Sequence, residues 1–332
     1  MLTGCLDVVG VGNAIVDVIA PADDDFLVKH GMSKGSMTLI DEPRAEAIYA
    51  AMGAAVITSG GSAGNTVAGV AALGGKTGFI GKVRDDGLGA EYRHDITAAG
   101  AVFPTPPATD GPATARCLIL VTPDSQRTMN TFLGACANLG PDDIDIGLVR
   151  SARITYLEGY LYDAPSAQNA FHKAAEIAHA ADRKVALTLS DPFCVNRHRS
   201  AFLRLVNHHV DVLFANAAEI AALFETENVE AAVARLRTLT ELAVVTRGPA
   251  GSVIVTKDDA IEISAAPVAN VVDTTGAGDL YAAGFLFGLT QGALPNECGR
   301  LGSLAAAEII SHFGARPQSD LRALVAESTS KS

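Results

Sequence analysis

The sequence predicts an α/β protein: a mostly parallel sheet covered by helices on both faces, with a small β-rich lobe inserted into it. Two observations predict the larger part. Short apolar, largely β-branched runs at 76–82, 153–157, 185–189, 210–214 and 242–246 alternate with amphipathic stretches such as 166–181 and 229–238. Strands without a polar face, separated by helices, belong to parallel sheets buried on both sides. A third observation predicts the lobe. Near the start, short strands at 15–19 and 36–40 surround one helix opened by Pro43, and a further piece at 114–121 and 127–133 follows a link containing Pro104, Pro106, Pro107 and Pro112. The expected division is a core of 1–11, 53–103 and 135–332 and a lid of 12–52 and 104–134.

Bulk properties narrow the function. A chain of 332 residues, 48% hydrophobic and 19% charged, can bury a large core. No apolar run approaches the ~20 residues of a spanning helix, and the start lacks a basic segment followed by an apolar one. The expected compartment is the cytoplasm, with no membrane partner. A formal net charge of −12 disfavours nucleic acid, whose phosphates it cannot neutralise. A nucleotide needs only a few local donors. The five cysteines are scattered without zinc spacing and read as reduced, mostly buried thiols.

Taken in order, the first strand, 7–11, ends at Gly12-Asn13. Gly10 and Gly12 begin a dinucleotide fingerprint, but Ile15 stands where its third glycine belongs and no helix opens there. On an extended segment Asn13, Ile15 and Asp17 share one face. A carboxylate accepts from two hydroxyls at once, so Asp17 suits a vicinal diol on a sugar ring; the alternative is an acid facing solvent. Gly60-Gly61-Ser62, with Asn65 in the first turns of the next helix, reads as a hinge or a close approach to ligand. Gly75-Lys76-Thr77 imitates the tail of a P-loop but follows a helix instead of opening one. Polar clusters then fall at the strands' carboxyl ends, where such sheets bind ligands: 190–193, Asn216 with Glu219, and Thr246-Arg247-Gly248. Asn216 and Glu219 fit a helix N-cap and its third-position partner equally well.

Residues 272–286 carry the most chemistry. β-Branched residues and Asp273-Thr274-Thr275 lead into Gly276-Ala277-Gly278-Asp279 and an apolar helix. A helix start presents unpaired N–H groups and partial positive charge to an anion. The N–H groups of Gly276, Ala277 and Gly278 would hold developing phosphate charge, and Asp279, ionised and weakly basic, would accept a hydroxyl proton. The alternative is a glycine turn whose Asp complements the helix dipole.

The run from Asp273 to Asp279 resembles the C-terminal signature of the ribokinase-type carbohydrate and nucleoside kinases, the phosphofructokinase-B family. The stretch from Gly60 to Asn65 with Gly74 resembles its N-terminal signature. The resemblance covers essentially the whole chain and implies a ribokinase-like three-layer α/β/α fold with a β-rich lid. It implies catalysis by Asp279 with Gly276, Ala277 and Gly278, and Arg127 near the transferred phosphate. Asn216 and Glu219 would govern Mg²⁺, through water. Thr246, Arg247, Gly248 and Gly251 would line ATP phosphates, with Ser303, Ala306 and Ile310 bordering the adenine. The N-terminal half looks most like adenosine kinases. That implies a ribose held by Asn13, Asp17, Gly60, Gly61, Ser62 and Asn65, with Ile15, Leu161 and Phe193 around the base. Arg247 departs from adenosine kinases, and Leu161 replaces an aromatic of some relatives. An aromatic such as Phe193 supplies about 1–3 kcal/mol of base stacking.

The expected activity is ATP- and Mg²⁺-dependent phosphorylation of the ribose 5′-hydroxyl of a purine nucleoside. A monovalent cation such as K⁺ is a further candidate, and the chain would act as a monomer or a lid-mediated homodimer. The nearest alternative is a sugar kinase acting on ribose, fructose or a sugar acid. A non-catalytic nucleotide binder would have no need of Asp279.

Overall fold

A computed structural model describes residues 5–124 and 126–330, the last three by backbone alone. Residues 1–4 and 331–332, included in the expected core, lie outside the described residues. The larger sheet has nine strands: β1 (Leu6–Val11), β5 (Thr77–Ile80), β6 (Ala101–Val102), β9 (Ala152–Glu158), β10 (Lys184–Thr188), β11 (Val212–Asn216), β12 (Leu242–Thr246), β13 (Ser252–Thr256) and β14 (Ala260–Ile263). They lie in the order β14-β13-β12-β11-β10-β9-β1-β5-β6. All neighbours from β12 to β6 pair parallel; β13 runs against them, pairing antiparallel with β12 on one side and β14 on the other.

The smaller sheet contains β2 (Ile15–Pro21), β3 (Met37–Leu39), β4 (Val56–Ser59), β7 (Ala115–Val121) and β8 (Arg127–Phe132), ordered β3-β8-β7-β2-β4. Two helices, α1 (Asp24–Lys29) and α2 (Glu42–Ala51), accompany it. The expected boundary at 53 is therefore too early. Val56 to Ser59 pair antiparallel with Val16 to Ile19 and belong to this sheet. At the other connection, Ala108 forms a bridge with Arg84, so the start of the 104–134 segment stays beside the larger sheet.

Helices cover both faces of the larger sheet: α3 (Ser62–Ala72), α4 (Gly87–Ala98), α5 (Ile146–Ser151), α6 (Pro165–Ala180), α7 (Pro192–His209), α8 (Ala217–Phe224), α9 (Val229–Leu236), α10 (Ala277–Thr290) and α11 (Pro295–Ile309), with α12 (Leu321–Ser330) closing the chain. Strand alternation sorts side chains into two cores. Val9, Leu157, Leu187 and Val245 pack with Phe171 of α6, Phe202 of α7 and Ile220 of α8. Their neighbours Val8, Tyr156, Phe214 and Val244 pack with Val67 of α3, Phe285 of α10 and Ile309 of α11. This double burial explains why the strands read as continuous apolar runs. It also brings the first turns of α3 and α10 together at the carboxyl end of the sheet.

Candidate active site

At that end the start of α10 meets the start of α3. Gly276 caps α10 in a left-handed conformation (φ +79°) and offers no side-chain cap. A Cβ there would lie 2.9 Å from that of Ala315, so glycine is required twice over. The N–H of Ala277 donates to Thr274 O at 3.2 Å. This corrects the expected cradle: Ala277 is spent, while the N–H groups of Gly276 and Gly278 meet no acceptor among the described residues. A Cβ added at Gly278 would meet nothing within 4 Å, so the space above it is open.

Asp279 occupies the third position of α10. Its two oxygens accept from Ser62 Oγ at 2.6 Å and Asn65 Nδ2 at 2.8 Å, both from the first turn of α3. Burial raises its pKa above the ordinary carboxylate value; those two hydrogen bonds and the charge of Arg316 oppose the rise. That direction runs against the expectation of a weakly basic Asp279, because burial disfavours its charged form. Asn65 Oδ1 is buried with no partner among the described residues, an acceptor left free beside Asp279. Buried acceptors are usually paired, so this atom has capacity for a further donor.

Asp17 and Ile15 share the half-buried face of β2. Asp17 makes no hydrogen bond among the described residues, and burial pushes its pKa up to about 7, against the charges of Arg316 and Arg127. Gly60 lies so close that an added Cβ would stand 2.4 Å from Asp17 Oδ2. Gly61 takes φ +82°, with Asn13 O where its Cβ would be. Asn13 itself departs from expectation. It precedes β2, is 3% exposed, and its Nδ2 donates to Glu158 Oε1 at 2.7 Å. The strand alternation invoked for it begins only at Ile15.

Arg127, on β8, reaches the α10 start: it pairs with Asp273 at 2.5 Å and donates to Thr275 Oγ1 at 3.0 Å. The smaller sheet is thereby tied to the glycine loop.

An unengaged carboxylate, Asp17, acting electrostatically on one held by two hydrogen bonds, Asp279, beside an open helix start invites comparison with known proteins. The model of the pfkB family carbohydrate kinases matches residues 36–321. The chain belongs to that family. It is 50% identical to the adenosine kinase from Sinorhizobium meliloti, with a TM-score of 0.91 over 98% of this chain and 100% of that one. It is 46% identical to a probable sugar kinase from Rhizobium etli, with a TM-score of 0.92 over 98% and 99% of the two chains. Among curated sequences, it is 26% identical over 327 residues to adenosine kinase from Saccharomyces cerevisiae, covering 92% of this chain and 94% of that one. The protein is a phosphotransferase acting on an alcohol group, with the ribokinase-like α/β fold. Kinases of this family use ATP and typically Mg²⁺.

At the carboxyl ends of β11 and β12, the kinase has a cavity of about 510 Å³ lined by Asn216, Ala218, Val229, Thr246, Arg247 and Gly248. Other residues expected here have different employment. Gly251 (φ +79°) lets its strand pass β14, since a Cβ would meet Ile263 O at 2.0 Å. Ser303 Oγ accepts from Ala266 N at 2.7 Å and donates to Ser264 O at 3.2 Å, so its hydroxyl is committed. Ala306 and Ile310 are half-buried against the second core and do not line the cavity. Glu219 is 5% exposed, and its oxygens accept from Asn216 N at 2.9 Å and Asn216 Nδ2 at 2.7 Å in a capping box. Burial pushes its pKa up to about 7 despite the Asn216 contact, with the charge of Asp191 adding to the rise. Direct ligation of a metal would break this cap, whereas a water-mediated contact would not.

Around the expected base position, Leu161 is 2% exposed within the first core and does not line the cleft. Phe193, near the start of α7, is 73% exposed. Two further residues went unnoticed in the sequence. Glu158, 1% exposed at the end of β9, accepts from Asn13 N (3.3 Å), Asn13 Nδ2 (2.7 Å) and Ala63 N (2.8 Å). Its charge at the carboxyl end of an apolar strand was the available signal. Arg316 donates to Gly64 O at 2.7 Å and to Ser59 Oγ at 2.7 Å, and no spacing in the sequence announces that.

Proposed function

We propose that the kinase phosphorylates the ribose 5′-hydroxyl of a purine nucleoside, using ATP. The observation that carries this reading is an unengaged carboxylate, Asp17, within electrostatic reach of a held carboxylate, Asp279, beside an open helix start. Asp17 would accept from the ribose diol, and Asn65 Oδ1 would take another hydroxyl. Ser62 and Asn65 hold Asp279, one of whose oxygens would also receive the incoming 5′-hydroxyl. That hydroxyl's proton passes to Asp279 as its oxygen bonds to the γ-phosphorus and the bond to the leaving ADP breaks. The N–H groups of Gly276 and Gly278 would receive the charge spread over the transferred oxygens. Arg127, already beside Thr275, would neutralise part of it. A raised pKa makes Asp279 a better base than an exposed carboxylate.

The cavity at Thr246, Arg247 and Gly248 would take the ATP phosphates. Mg²⁺ keeps several waters and binds chiefly through phosphate oxygens. The Asn216–Glu219 cap fits such an outer-sphere role. Bound there, the ion supplies charge neutralisation. A monovalent cation such as K⁺, and monomer or lid-mediated homodimer, belong to the same reading and are settled by turnover with and without K⁺ and by sizing the assembly in solution.

Phe193 favours a nucleoside. A large exposed aromatic gains about 1–3 kcal/mol by stacking on a base and nothing comparable from a bare hexose. The buried Leu161 and the similarity to a probable sugar kinase support the second reading, a free sugar as acceptor. Comparing kcat/KM for adenosine, guanosine, inosine, cytidine, ribose and fructose with ATP and Mg²⁺ decides between them. Turnover of a free sugar with every nucleoside at background would overturn the nucleoside assignment.

A further inference from the structure

The loop after α11 crosses the molecule to the segment that joins β4 to α3. It is fixed first at its own ends: Gly314 N donates to Asp273 Oδ2 at 3.0 Å, and Gln318 N and Ser319 N donate to Glu308 Oε1 at 2.9 and 2.8 Å. From its middle, Arg316 sends Nη1 to Gly64 O at 2.7 Å and Nη2 to Ser59 O and Oγ at 3.1 and 2.7 Å. Ser59 ends the last strand of the smaller sheet, and Gly64 lies in the first turn of α3. The two nitrogens of one planar fork therefore grip the chain on either side of Gly60-Gly61. Asp95 of α4 also accepts from Ser59 N at 2.7 Å. Ser59 is pinned through its N–H, its carbonyl and its hydroxyl. Any swing of the smaller sheet about this connection has to turn at Gly60 and Gly61, and the next residue, Ser62, holds Asp279.

We propose that Arg316 is a positioning residue for phosphoryl transfer: it clamps the glycine hinge so that Ser62 and Asn65 present Asp279 correctly, and it sets its positive charge beside Asp17 and Asp279. The inference rests on the assignment of those two carboxylates to acceptor binding and proton abstraction. Arg316 charge opposes the rise in pKa of both. Burial in turn lowers the pKa of the guanidinium, and Tyr92, Asp95, Asp17 and Asp279 act against that. Two other charges face the same groups: Arg127 of β8 acts on Asp17, and Glu158 of β9 is coupled to Asp279. Lysine cannot replace the fork, because a single ammonium cannot span both carbonyls in fixed geometry.

The test compares pH profiles of kcat/KM for the wild type, Arg316→Lys and Arg316→Met, using whichever alcohol is turned over. Arg316→Met should move the acidic limb up by about one pH unit, equivalent to about tenfold lower kcat/KM below the limb, and lower kcat at the plateau. Arg316→Lys should keep the limb near the wild-type position while the plateau kcat still falls. A Met variant whose profile superimposes on the wild type, or a loss uniform in pH and equal in both variants, overturns the proposal. If the Met variant does not fold, Arg316→Lys decides alone: a fallen plateau with an unmoved limb supports the clamp, and wild-type kcat refutes it. Failure of the base assignment shows separately, as retained turnover in Asp279→Asn.

Discussion

Two helices of this kinase begin at the same end of the sheet with an acid at their third position, and they use it in opposite ways. At α8, Asn216 caps the helix with its own side chain, and Glu219 returns both oxygens to Asn216. The acid is consumed within four residues of chain. At α10, Gly276 has no side chain to offer, its φ opens the turn, and Asp279 is held by residues more than two hundred positions away. A self-satisfied helix start is closed to direct ligands at its acid. One whose amides are free and whose acid is held from another helix can receive a phosphate and a proton together.

The sharpest way to break this comparison is to neutralise both acids. Asp279→Asn should lower kcat/KM by about 10²–10⁴-fold, the range for loss of a general base. Glu219→Gln should change it by less than about tenfold while costing roughly 1 kcal/mol of stability, as loss of a cap does. Steady-state kinetics and denaturant melts on both variants read this directly. Near-wild-type turnover by Asp279→Asn would remove it as the base and erase the contrast.

The glycines separate next. Gly278 faces open space and Gly276 faces Ala315. Gly278→Val should therefore fold with an unchanged melting temperature yet lose turnover by about 10²-fold, because its side chain fills the position a phosphoryl group needs. Gly276→Ala should lose at least ~1 kcal/mol of stability through its left-handed φ. A Gly278→Val enzyme of full activity would mean the open space is not the cradle.

How much of this was legible follows from how local each device is. The strand–helix alternation and the run from Asp273 to Asp279 lie in consecutive residues, and the sequence displays them outright. The Asn216–Glu219 cap is local too, although its spacing served a cap and a metal contact equally. Arg316 and Glu158 are different. Each acts on residues 95 or more positions away, Arg316 on Gly64 across 252 positions. Periodicity carries nothing at that range. Strand β4 went unread because it is only four residues long and stands directly before the double glycine. Asn13 was misplaced because alternation was extended two residues beyond the strand, where the chain turns in toward Glu158.

A smaller effect separates the two apolar residues expected around the base. Leu161 lies within the core, so Leu161→Ala should cost about 2–5 kcal/mol of stability, with KM little changed in whatever folds. Phe193→Ala should leave stability within about 0.5 kcal/mol. It should raise KM for a nucleoside by roughly 5- to 150-fold, the equivalent of about 1–3 kcal/mol of stacking, and leave KM for ribose unmoved. Equal KM changes for nucleoside and ribose would remove Phe193 from base recognition and strengthen the sugar-kinase reading.

The weakest expected effect comes from pH, where the two acids diverge again although burial raises the pKa of both. The folded protein binds a proton at Glu219 more tightly than the unfolded chain does, because its folded pKa is about 7. Between the ordinary carboxylate range and about pH 7 the folded state thus carries more protons, and stability falls as pH rises through that window and is level above it. Glu219→Gln removes this contribution. The melting-temperature difference between pH 5 and pH 8 should become less favourable to the acid side than in the wild type by roughly 2 °C per kcal/mol lost. At Asp279 the same sign acts against function. Protonation stabilises the fold and removes the base, so turnover should decline as pH falls while the melting temperature does not. An unchanged pH slope in Glu219→Gln would show that its carboxyl is as acidic folded as unfolded, and that the cap outweighs its burial.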